Sequence, residues 1–130
     1  MSKVEAGLRY TKSHEWVKVE GNMARIGVSD YAQDSLSDIV YVELPAPGAK
    51  FGKEEALGVV ESVKSASDVY CPVAGVVEKV NDKLLSAPET INADPYGSGW
   101  LVLLKVADPK VTNELMDANA YEAFLETLHH

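Results

Sequence analysis

At 130 residues, with 46% apolar and 25% charged side chains, the chain is sized for one compact domain that buries roughly two-thirds of its unfolded surface. A formal net charge of −8 argues against binding to the phosphates of nucleic acid or to an anionic membrane, since both select a basic patch, and favours partners with basic docking surfaces. Apolar runs such as Trp100 to Leu104 fall far short of the roughly 20 residues that span a bilayer, and MSKVEAGLRY has neither an apolar signal core nor an arginine-rich amphipathic stretch.

A cytoplasmic monomer is therefore expected, with a processed organellar form as the lesser alternative. In chain order, EWVKVE (15–20) and MARIGV (23–28) alternate polar and apolar residues about Gly21-Asn22, which predicts a hairpin. SDYAQDSLSD (29–38) offers Ser29 or Asp30 as an N-cap and predicts one or two helical turns. IVYVEL (39–44) reads as a strand closed by Pro45, Pro47 and Gly48. Further strands are expected over 54–62, 67–71, 76–80 and 100–106. Asp108-Pro109 supplies an N-cap followed by proline, opening a C-terminal helix or two through ELMDANAYEAFLE (114–126).

Many short strands with terminal helices make a mainly β chain, a small β sandwich or flattened barrel. GVVESV (58–63) recurs as GVVEKV (75–80) with five of six positions the same. A repeat this short cannot be a solenoid unit, but it suits a domain whose halves are related by an approximate twofold axis. Chance among common β residues is the competing explanation.

Lys64 is the only cation between Lys53 and Lys79, and it lies where an apolar run gives way to ESVKSASD (61–68). Strands on either side would hold this turn away from the core and leave the lysine stem free. A plain solvated turn is the bland alternative, since lysines are common there. A lysine amine is almost wholly protonated at neutral pH, and enzymes that use one as a nucleophile desolvate it or crowd it with a second cation. ESVKSASD provides neither, which points to modification by an external enzyme rather than to catalysis by Lys64.

ESVKSASD set within GVV…PVAGVV, with Gly48 upstream and Gly75 downstream, resembles lipoyl-bearing domains. Biotin carriers usually place methionines around their lysine, whereas here the neighbours are Val63 and Ser65. YTKSHEWV (10–17), GVSDYAQDSLSDIVYVELP (27–45) and INADPYGSGWL (91–101) extend the likeness to the glycine cleavage system H-protein family across nearly the whole chain. The resemblance implies a barrel-sandwich hybrid fold in one lipoyl-carrier domain over 1–130. Its N-terminal strands would span 8–28, its lipoyl core 39–106 and its C-terminal helices 109–128.

It also implies lipoate in amide linkage on Lys64, within a turn context of Glu61, Ser62, Val63, Ser65 and Gly75. A cleft that shelters the loaded arm maps to Ser13, Glu15 and Asp68. Such a protein is a carrier and not an enzyme. A pyridoxal-phosphate glycine decarboxylase loads an aminomethyl group, a tetrahydrofolate-dependent aminomethyltransferase removes the methylene and frees ammonia, and a flavin (FAD) dihydrolipoamide dehydrogenase reoxidises the arm. Lipoylating enzymes complete the set of partners.

The rivals are a lipoyl domain of an oxo-acid dehydrogenase, usually part of a longer chain with linkers, and a small hydrolase using Lys64 with Ser62 or Ser65. The hydrolase would need an oxyanion site, and no glycine-rich loop adjoins those residues. No ligand cluster at metal spacing surrounds His14, so an ordinary structural or surface histidine is expected. Cys71, the sole cysteine, reads as a small buried hydrophobe, and Trp16 and Trp100 as core or rim aromatics. The long connection 86–99 is either a partner contact or a passive surface loop. Leu115, Tyr121, Phe124 and Leu125 are expected to cover a sheet edge or core, and His129-His130 to be a frayed tail or an expression remnant.

Overall fold

A computed structural model describes residues 2–128, so the expectation for His129 and His130 lies outside the described residues. The strands are β1 (Arg9–Tyr10), β2 (Glu15–Glu20), β3 (Met23–Val28), β4 (Ile39–Glu43), β5 (Lys50–Phe51), β6 (Ala56–Ser62), β7 (Ala66–Tyr70), β8 (Gly75–Val80) and β9 (Val102–Lys105). They form two antiparallel sheets, one ordered β1-β2-β3-β9-β8-β5 and the other β4-β6-β7. The expected mainly β sandwich is therefore the observed fold.

The period-2 segments behave as their patterns dictate. In the β2–β3 hairpin Val17 pairs with Ile26, and both are buried while the register partners Lys18 and Arg25 stay out of the core. Val42, Val60 and Val69 of the second sheet bury against Val77, Val102 and Leu104 of the first, in one apolar cluster. Each such side chain contributes roughly 1.5–3 kcal/mol by leaving water. A second cluster holds Leu8, Tyr10, Trp16, Tyr121 and Leu125. Here the Trp16 indole N–H donates to the Pro95 carbonyl at 2.9 Å, so its one polar atom is satisfied in the core.

The two copies of the GVVE repeat fall on β6 and β8, which belong to different sheets. Each copy starts with a glycine over which a neighbouring strand crosses closely. A Cβ at Gly58 would lie 2.4 Å from the Glu43 carbonyl oxygen, and one at Gly75 would lie 2.8 Å from that of Lys105. The shared glycine thus has a packing cause at both places.

The helices are α1 (Asp30–Leu36), α2 (Lys83–Ser86), α3 (Thr90–Ala93) and α4 (Ala118–Thr127), with a 3-10 turn over Pro109–Glu114. Ser29, not Asp30, caps α1, its hydroxyl oxygen accepting from the Ala32 N–H. Asp108 and Pro109 open the 3-10 turn as expected. The helical segment predicted over 114–126 is interrupted, because Met116 pairs with Tyr10 through two backbone hydrogen bonds and Asp117 then caps α4 anew. Strand pairing outcompetes helix extension at that point.

The connection 86–99 is ordered by one-turn helices and by Asn92, whose side-chain oxygen accepts the Ile39 N–H at 2.9 Å. The strand expected over 100–106 is confined to β9, and β5 carries no sequence pattern that singled it out. Among the described residues no helix is long and apolar enough to cross a membrane.

Candidate functional site

Lys64 lies on the exposed turn that joins β6 to β7. Ser62 organises this turn. Its hydroxyl donates to the Ser65 carbonyl at 3.1 Å and accepts the N–H groups of Lys64 and Ser65 at 3.2 and 3.1 Å. The Ser62 and Ser65 backbones add a further bond at 2.7 Å, and the Val63 N–H reaches back to the Asp38 carbonyl at 3.1 Å. Five hydrogen bonds therefore fix the backbone beneath Lys64, while Val63 beside it is 68% exposed. A fixed base under a free side chain is what the serine-rich composition of the turn achieves.

A cleft of about 660 Å³ opens elsewhere on the molecule, between the Tyr10–Glu15 loop, the 70–72 segment and Glu114–Met116. The loop is tight. The Thr11 N–H donates to the Glu15 carbonyl at 3.0 Å and the His14 N–H to the Thr11 carbonyl at 3.1 Å, with His14 in the left-handed region at φ 74°. This brings the Thr11 and Ser13 hydroxyls onto the same carboxylate oxygen, each donating to Glu15 Oε1 at 2.6 Å. Glu15 Oε2 accepts the backbone N–H of Tyr70 at 3.2 Å.

Glu15 is buried, and desolvation raises its pKa above the ordinary carboxylate value, opposed by the Ser13, Thr11 and Tyr70 hydrogen bonds. The neighbouring wall includes Cys71, fully buried as expected, whose thiol donates to the Val73 carbonyl at 3.0 Å. Burial pushes that thiol up to about 11, so it stays protonated and inert at neutral pH. Lys53 and Glu114 face each other at 3.7 Å on the rim.

Of the residues singled out in the sequence, Ser13 and Glu15 meet in the cleft. Asp68 does not line it. It is exposed on β7 opposite Val59, on the same strand face as Tyr70, between the lysine turn and the cleft. Lys64, on the turn before this strand, and Tyr70, at the strand's far end, are on the order of 15–20 Å apart at the usual rise per residue. Glu61 pairs with Ala66 beneath the turn, and Gly75 begins β8 away from both sites.

Thr11 and Tyr70 escaped the sequence analysis. Thr11 had a signal, the alternation Thr11, Ser13, Glu15, whereas Tyr70 contributes a backbone N–H that no side-chain identity reveals. His14 is structural as expected, half-buried with its pKa lowered by desolvation, and no group of metal-ligating side chains occurs among the described residues.

The sequence profile described as "Glycine cleavage H-protein" matches residues 8–128. Glycine cleavage system H proteins of Symbiobacterium thermophilum and Laribacter hongkongensis are 52% and 54% identical to this chain over 124 and 123 residues. Those alignments cover 95% and 94% of this chain and 97% of each relative. The crystal structure of an H protein from Mycobacterium marinum superposes with a TM-score of 0.85 at 33% identity, covering 92% of this chain and 97% of that one. Agreement of this extent separates the chain from oxo-acid dehydrogenase lipoyl domains and from Ser/Lys hydrolases. The chain belongs to the glycine cleavage H-protein family, the non-catalytic lipoyl carriers of the glycine cleavage system.

Proposed function

We propose that Lys64 is the residue through which this carrier holds lipoate, in amide linkage, and that the cleft of Ser13 and Glu15 receives the arm once it is loaded. The observation that carries the first part is the exposed lysine on a turn whose backbone is pinned by Ser62. An amide at that nitrogen removes a charge and leaves a tethered group, whose effective concentration at a docked active site is about millimolar for a short flexible link. When attached, lipoate supplies a dithiolane that takes up the aminomethyl group and is afterwards reoxidised.

The cleft residues suit a cationic amine. Glu15 offers an acceptor in a poorly solvated place, where its attraction for a cation is weakly screened, and the Thr11 and Ser13 hydroxyls fix its orientation. A hydrogen bond to a charged group contributes about 1.5–3 kcal/mol, roughly ten- to hundredfold in release rate. Asp68 lies along the path from Lys64 and offers a second carboxylate near the entrance. The protonated thiol of Cys71 leaves the wall chemically quiet beside a disulfide-bearing cofactor.

The carrier is a single domain over 1–130 and works in the cytoplasm. Its partners are the pyridoxal-phosphate glycine decarboxylase, the tetrahydrofolate-dependent aminomethyltransferase, the FAD-containing dihydrolipoamide dehydrogenase and a lipoylating enzyme. The net charge of −8 supports docking onto basic rims around their active sites. Intact mass measurement of protein from lipoate-supplied cells tests the attachment. A lipoyl adduct on the natural chain that is absent from Lys64→Arg is expected, and an adduct that persists in Lys64→Arg overturns the assignment.

A further inference from the structure

Helix α4 reaches the cleft without lining it. The Tyr121 hydroxyl lies 2.7 Å from His14 Nδ1 and 2.7 Å from the Ser29 hydroxyl, and the Ser29 oxygen accepts the Ala32 N–H at 3.2 Å. One proton arrangement leaves no hydroxyl hydrogen without an acceptor: Ser29 donates to Tyr121, and Tyr121 donates to His14 Nδ1. The imidazole is then neutral with its proton on Nε2. Ser29 and Tyr121 are both fully buried, so a misdirected proton there would be uncompensated.

His14 needs such a hold. It adopts φ 74°, a region disfavoured for any residue with a Cβ, and its ring packs 4.5 Å from that of Tyr31. The left-handed turn is what puts Ser13 and Glu15 on one side and the imidazole on the other. The backbone supports the same geometry, because the Ser29 N–H donates to the His14 carbonyl at 2.9 Å. Tyr121 is itself fixed by stacking on Tyr10, with ring centroids 4.3 Å apart and planes 2° from parallel.

We propose that Tyr121 and His14 are positioning residues for the cleft: their hydrogen bond pins the turn that delivers the Ser13 hydroxyl to Glu15. A loosened turn withdraws that donor for part of the time, leaving the buried carboxylate less well solvated. Its consequence for the loaded arm rests on the function proposed above, whereas its effect on Glu15 does not.

The test follows the Glu15 carboxyl carbon by NMR through a pH titration of the unmodified protein. Tyr121→Phe keeps the ring on Tyr10 but removes the hydroxyl, and the Glu15 midpoint is expected to rise by about one pH unit. His14→Gly adopts the left-handed turn unaided, so its midpoint stays at the wild-type value, and adding Tyr121→Phe to it moves nothing further. A Tyr121→Phe protein that melts earlier with an unmoved Glu15 midpoint overturns the inference, as does a shift that persists undiminished in the His14→Gly background. Should Tyr121→Phe fail to fold, His14→Ala against His14→Gly gives the same comparison, with equal midpoints overturning it.

In lipoylated, aminomethyl-loaded carrier, Tyr121→Phe is expected to release ammonia several-fold faster than wild type, on the scale of a weakened hydrogen bond. A raised Glu15 midpoint with unchanged ammonia release would uphold the positioning role and sink the assignment of the cleft to the arm.

Discussion

His14 and Tyr121, 107 residues apart in sequence, meet at 2.7 Å through a ring nitrogen and a phenolic oxygen. The bond works with the neutral imidazole, and burial lowers the His14 pKa below its ordinary 6.5. The unfolded chain therefore takes up this proton first, and His14 contributes stability above pH 6.5 that is lost as pH falls towards the folded value. The groups packed on its ring are the phenols Tyr31 and Tyr121 and the Phe124 ring. Urea unfolding at pH 7.5 and pH 5.5 should show wild type losing more stability on acidification than His14→Gln. Equal losses would contradict the assignment.

Glu15 has the opposite sign. Its folded pKa stands above the ordinary 4.5, so the buried carboxylate costs stability as pH rises through that window, and the cost is relieved below pH 4.5. The stability of Glu15→Gln relative to wild type is expected to improve as pH rises from 4.5 and to level off above the folded value, read from denaturation midpoints at each pH. In the loaded, lipoylated carrier Glu15→Ala should speed spontaneous ammonia loss by roughly ten- to hundredfold. An unchanged decay rate would show that the loaded arm does not use this carboxylate.

Ser62→Ala removes the hub beneath Lys64. The turn loses one donor and one acceptor on an exposed hairpin, for a stability loss of about 1 kcal/mol. Amide hydrogen exchange at Lys64 and Ser65, whose N–H groups the hydroxyl accepts, should accelerate. Lipoylation, followed by intact mass, should slow without being abolished. Protection of those two amides at wild-type level would show that the backbone bond from Ser62 to Ser65 suffices alone.

Gly58→Ala places a Cβ 2.4 Å from the Glu43 carbonyl oxygen, a backbone atom that cannot swing aside. Overpacking of this kind costs about 1–3 kcal/mol, and here it parts β4 from β6. Asp38, which anchors Val63 beside the lysine, immediately precedes the loosened β4. A denaturant midpoint within error of wild type would mean that the strand crossing is looser than the geometry indicates.

Features that depend on neighbours a few residues apart are legible before folding is considered. Alternation defined β2 and β3, the apolar run closed by Pro45, Pro47 and Gly48 marked β4, Ser29 and Asp108 signalled helix starts, and the lysine stood out because its flanks combine apolar strands with a serine-rich turn. The pair Ser13 and Glu15 was legible only through a family resemblance, and Thr11 could have been added from the alternation alone.

Long-range packing set how the nine strands among the described residues divide into sheets of six and three, where the helical segment breaks between Glu114 and Asp117, and how the Tyr70 N–H meets Glu15 and Tyr121 meets His14. Local patterns set which residues face a common side, because side-chain direction follows the backbone period. They do not set which distant face is buried against it. That choice is made by close packing and by the need to pair every buried donor and acceptor, which only the folded chain can satisfy together.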